Sequence, residues 1–140
     1  VAELAAQRRT ADHLATMRAE AHRQSQPGLT DEAFCASDVA FHRALVDAAG
    51  NPVISYQLAG AVEAMQPLMN MITFSARSRE TIVGMHSQIA DALQAQDGAG
   101  VDTHLGALAD YTLTLAQSVM DARDSAKASN LTLAGAHVAP

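Results

Sequence analysis

Tryptophan is absent from this chain and β-branched residues are thin, with no alternating apolar runs. Both facts argue against a sheet-based fold. A single cysteine, Cys35, excludes an internal disulfide framework and fits a reducing cytoplasm. Long hydrophobic runs are also missing: none reaches the ~18 residues that a membrane span needs, and no signal peptide is visible. Basic residues are scarce, with nine Lys and Arg against fifteen Asp and Glu, a net charge of −6. That balance argues against nucleic-acid binding by this piece alone, because phosphate binding needs a basic face. Catalytic signatures are lacking as well: there is no G-x-S-x-G, P-loop, H-E-x-x-H, C-x-x-C or H-D dipeptide.

What remains is an Ala-rich chain, 49% hydrophobic over 140 residues. This is the composition of one all-α domain with small residues at its helix contacts. The expected architecture is an antiparallel helical bundle of about five to seven helices. The first helix is expected over about 2–24, closed by Gln26-Pro27-Gly28. The second starts at Thr30, with Asp31 and Glu32 in its first turn, and ends at Gly50. Gly50-Asn51-Pro52 turns into a third helix over about 52–73. A fourth spans about 78–95, a turn falls at Asp97-Gly98-Ala99-Gly100, and a fifth covers about 101–126. The bundle is thus assigned to residues 1–126, with 127–140 expected to be a frayed tail. The chain opens on Val1 inside a helical pattern with no capping residue ahead of it, and reads as a fragment of a longer polypeptide.

The chemistry centres on Asp38 and His42. Four residues apart in a helix, they share one face a turn apart, and that face also carries Phe34, Phe41 and Leu45. A carboxylate and an imidazole in an apolar stripe need partners, since each costs about 1–3 kcal/mol or more if buried unsatisfied. A shared metal ion, a mutual hydrogen bond or a bound polar ligand would each serve. His86 and His104 tilt the choice towards metal: the turn at 97–100 makes their helices antiparallel neighbours, with Asp38 and His42 opposite. One carboxylate and three imidazoles suit a first-row divalent ion such as Zn, Ni or Mn. Each histidine taken singly is more often an ordinary core or surface residue; the joint pattern carries the reading. His13 and His22 on the first helix and His137 in the tail are assigned no site. Met65, Met69 and Met71 suit core packing or a cavity wall. Cys35 reads as an inert thiol, and Arg77 and Arg79 as a solvated helix end within reach of a ligand carboxylate.

The segment D-V-A-F-H-R-A-L-V-D-A-A-G-N-P-V, from Asp38 to Val53, resembles the ligand-sensing FCD domain of GntR-type transcription regulators of the FadR subfamily. The likeness continues through H-S-Q-I-A-D-A-L-Q-A-Q-D, from His86 to Asp97, and in Leu4-Ala5-Ala6 with Arg8-Arg9-Thr10. The resemblance implies a non-enzymatic, cytoplasmic helical bundle that binds a small organic acid, commonly beside a metal held by one Asp and three His. It also implies a homodimer whose operator DNA is read by an N-terminal winged helix-turn-helix domain that this chain lacks.

Asp38, His42 and His86 match the family's metal ligands. The family's last histidine falls where this chain has Leu108, one turn beyond His104. The expectation is that Gly98 and Gly100 permit a shorter turn, a deletion at 98–101, which brings His104 into register as the fourth ligand. Where the family often has arginines facing the site, this chain has Met69, Asn70 and Met71. Asn70, Met69 and Arg79 are therefore the expected effector contacts, and a small carboxylate the expected effector. A small metal-dependent helical enzyme and a purely structural dimerisation bundle remain as alternatives.

Overall fold

Residues 1–136 are described by a computed structural model, and among them there are six α-helices and no strand. These are α1 (Ala2–Arg8), α2 (Ala11–Gln24), α3 (Asp31–Ala48), α4 (Pro52–Thr73), α5 (Arg79–Gln94) and α6 (Gly98–Ala136). Side-chain caps set most of the starts. Thr30 Oγ1 accepts the Ala33 N–H at 3.2 Å, Asn51 Oδ1 accepts those of Val53 and Ile54, and Ser78 Oγ accepts that of Thr81. Pro52 follows Asn51 at the first helical position, where its missing N–H costs nothing. Gly50, at φ +58°, turns the chain between α3 and α4 while the Arg8 side chain packs over it.

Several boundaries differ from the sequence expectation. The first helix is broken at Arg9, because Thr10 opens a new one: its hydroxyl accepts the His13 N–H, and His13 Nδ1 accepts the Thr10 N–H at 3.1 Å. Histidine here takes the place that Glu or Gln usually fills in such a reciprocal cap. The last helix also runs on past residue 126 to Ala136, through an alanine-containing stretch without Pro. Residues 121–130 are exposed along it. Residues 137–140, with His137, lie outside the described part of the chain.

The turn between α5 and α6 is tighter than expected. Gln96 takes the left-handed conformation at φ +58°, and the Gln96 and Asp97 N–H groups bond back to Leu93 and Ala92. Gly98 and Gly100 therefore lie inside the first turn of α6. Gly98 is needed for closeness, since a Cβ there would fall 3.0 Å from the Glu3 Cα of α1.

Helix α3 packs between α2 and α4, α5 lies against α2 and α6, and α1 closes over α3 and α6. The core joins Ala5, Ala6, Met17, Phe41, Leu45, Ala48, Ile89, Leu93 and Val101, and its alanines let helix axes approach closely. No described helix is long and apolar enough to cross a membrane.

Candidate metal centre

Asp38, His42 and His86 converge where α3 faces α5, and each offers one ligand atom within 4.8 Å of the others. Asp38 Oδ1 lies 3.4 Å from His86 Nε2 and 3.7 Å from His42 Nε2. Donors each about 2.1 Å from an ion in tetrahedral array would be ~3.4 Å apart, so the spacing suits a divalent ion with little adjustment. The other carboxylate oxygen is already engaged: Asp38 Oδ2 accepts from Asn70 Nδ2 at 2.9 Å and Gln66 Nε2 at 3.1 Å, both on α4. The carboxylate is thereby aimed, with Oδ1 left for the centre.

His86 is held as firmly. It is fully buried and stacks on Phe41, with ring centroids 4.1 Å apart and planes 19° from parallel. Its Nδ1 lies 2.7 Å from Oε1 of the buried Gln24. Donation from Nδ1 to that amide oxygen leaves Nε2 as a lone pair directed at the centre, the arrangement that outer partners impose on metal-binding histidines. Within the protein Nε2 has no hydrogen-bond partner. A buried nitrogen orphaned beside a carboxylate and a second imidazole is what a cation site presents before its ion. The residues present therefore fit the metal.

Both imidazoles are held neutral. Burial, reinforced by repulsion from His42 whenever that ring is protonated, lowers the His86 pKa from 6.5 to about 3. Burial also lowers that of His42, against the pull of Asp38. Neutral imidazole is the metal-binding form. A stability consequence follows for the metal-free protein. The unfolded chain takes up protons at these histidines near pH 6.5, and the folded chain does so only at lower pH. The stabilisation is thus complete above about pH 6.5 and is lost as pH falls towards the folded values, by up to ~1.4 kcal/mol per pH unit for each histidine. Denaturant unfolding in chelator should show stability dropping steeply from pH 7 to pH 5; a flat profile would mean that the imidazoles charge freely in the fold.

His104 is not brought into this group. It is half-buried on α6, outside the cavity beside the centre, while Leu105 and the buried Leu108 line that cavity. Of the expected effector contacts, Met69 and Asn70 line the cavity. Arg79 does not: its guanidinium donates to the Leu29 carbonyl and to Asp31, each at 2.6 Å. Arg77, read from sequence as a solvated helix end, is buried over the Phe34 ring at 4.4 Å and donates to Asn70 Oδ1 and Asp31. It orients the amide that holds Asp38. Cys35 is half-buried, and desolvation raises its thiol pKa, in keeping with an unreactive thiol.

Gln24 and Gln66 were not legible beforehand. Gln24 bonds a residue 62 positions away, and nothing local marks it except its place on the inner side of α2 beside Ala21 and Met17.

The cavity measures about 300 Å³ and lies between α4, α5 and α6, with Asp38 and His42 of α3 at its floor. The family model for the FCD domain matches residues 1–110. No match is found among curated proteins.

Proposed function

The chain belongs to the FCD domain family, the effector-binding domain of GntR-type transcription regulators, and from that premise we propose that it senses a small carboxylate beside a divalent ion on behalf of a FadR-type regulator. Zn, Ni or Mn would be held by Asp38, His42 and His86, and the ion would supply a Lewis-acidic anchor for the effector's oxygen atoms. The observation that carries the reading is the orphaned His86 Nε2 facing Asp38 Oδ1 in a fully buried setting. Three protein donors leave positions open on the cavity side, where an effector enters.

The switch would be mechanical. Asp38 and His42 belong to α3 and His86 to α5, so an ion ties those two helices together. An effector in the cavity adds the walls supplied by α4 and α6. Effector binding is thereby linked to the relative placement of four helices, and through them to an operator-reading domain elsewhere in the cytoplasmic regulator. A second copy is the proposed partner, supported by the apolar outer side of α4 and its C-terminal cap, where Val53, Tyr56, Met71 and Phe74 are exposed.

Titration of chelator-treated protein with Zn²⁺, Ni²⁺ and Mn²⁺ tests the reading. About one ion per chain is expected, with a rise in melting temperature. Sedimentation should give twice the chain mass. Protein that takes up none of the three ions, or turns over a small acid, would contradict the sensing role.

A further inference from the structure

The walls of the cavity above the metal centre are apolar. Met65, Met69, Ile82, Leu105, Leu108 and Leu113 form most of them. Among the described residues that line it there is no Lys or Arg, and the only carboxylate is Asp38. Most of the polar side-chain donors are already engaged within the protein. The Gln66 and Asn70 amides donate to Asp38 Oδ2. The Thr73 hydroxyl donates to the Met69 carbonyl at 2.7 Å, and that of Thr112 to the Leu108 carbonyl at 2.8 Å. Arg77, behind Asn70, directs its terminal nitrogens to Asn70 Oδ1 and Asp31 and stacks over the Phe34 ring, and does not line the cavity.

Charge decides what such a space accepts. A divalent ion on one carboxylate and two neutral imidazoles carries a net single positive charge, which one further carboxylate cancels. A second carboxylate on the same ligand would be set against methionine and leucine side chains with no counter-ion among the lining residues. From this we infer that the cavity selects a monocarboxylate bearing a short alkyl or aryl tail and discriminates against dicarboxylates. At about 300 Å³ the volume is at the low end of small-molecule sites, enough for such a tail. The inference rests on the metal-dependent reading above and adds the class of effector.

A matched series on the Zn²⁺-loaded chain tests it by calorimetry: hexanoate, adipate, which adds a second carboxylate at the far end, and 1-hexanol, which has none. Hexanoate is expected to bind, adipate at least ~10-fold more weakly, and hexanol without measurable heat. Adipate equal to or tighter than hexanoate overturns the inference and leaves the metal reading standing, as does an absence of hexanoate binding. A chain that does not take up Zn²⁺ at all overturns both. Leu113, exposed at the cavity mouth, provides a second arm. Leu113→Arg supplies the missing cation without burying it and should close most of the gap between adipate and hexanoate. An unchanged gap in L113R would count against charge as the discriminating factor.

Discussion

Alanine in place of His86 is expected to lower divalent-ion affinity by more than ~100-fold, beyond what loss of an outer-shell partner costs. The two donors left, Asp38 and His42, stand on successive turns of α3, so the tie to α5 is lost with the ring. Of the two side chains that hold the ring, Phe41 carries no ligand atom and Gln24 only a neutral amide. His104→Ala is the matched control. With His104 outside the cluster and Leu108 on the cavity wall, this change should leave affinity within about twofold. Competition against a chromophoric chelator measures both. Equal losses in the two variants would place His104 in the centre after all.

Phe41→Ala should be the most costly single truncation near the site. Phe41 is fully buried at the junction of the core and the centre, its ring face against His86 and its edge towards His42 at 5.6 Å. Removing it deletes a large apolar side chain and leaves a void that helices pinned by close alanine contacts cannot readily collapse into. The expected loss is about 3–5 kcal/mol, which for a domain of this size lowers the melting temperature by roughly 10 °C or more. The same change frees the His86 ring to tilt, so metal affinity should fall too, and added metal should recover less stability than in the parent. Denaturant unfolding with and without Zn²⁺ reads both effects. A loss under ~1 kcal/mol would mean that the aromatic stack is dispensable.

Much of this was written locally in the chain. Helix α4 was legible to its ends because Asn51-Pro52 is a complete start signal, and α3 and α5 because Thr30 and Ser78 cap them. Asp38 and His42 could be paired from spacing alone, since i and i+4 share a helical face. The break at Arg9–Thr10 was not legible, because its reciprocal cap uses His13 where pattern reading looks for a carboxylate or amide. The α5–α6 turn misled for the opposite reason. Glycines usually mark turns, but here Gln96 adopts the left-handed conformation and Gly98 serves close packing against α1. That misplacement carried over to His104, whose expected role depended on the glycines shortening the turn. The polar frame of the centre, Gln24 behind His86 and the Arg77–Asn70 link behind Asp38, joins separate helices, and such partners have no signature until the fold brings them together.

In the proposed sensor, an ion is held between α3 and α5. Diffraction from crystals of the Zn²⁺-loaded chain, recorded on either side of the zinc absorption edge, tests this most directly. The anomalous difference map should show one peak per chain about 2.0–2.2 Å from Asp38 Oδ1, His42 Nε2 and His86 Nε2. A map with no peak there, or with its peak at other histidines while His86 Nε2 bonds to protein, would contradict it.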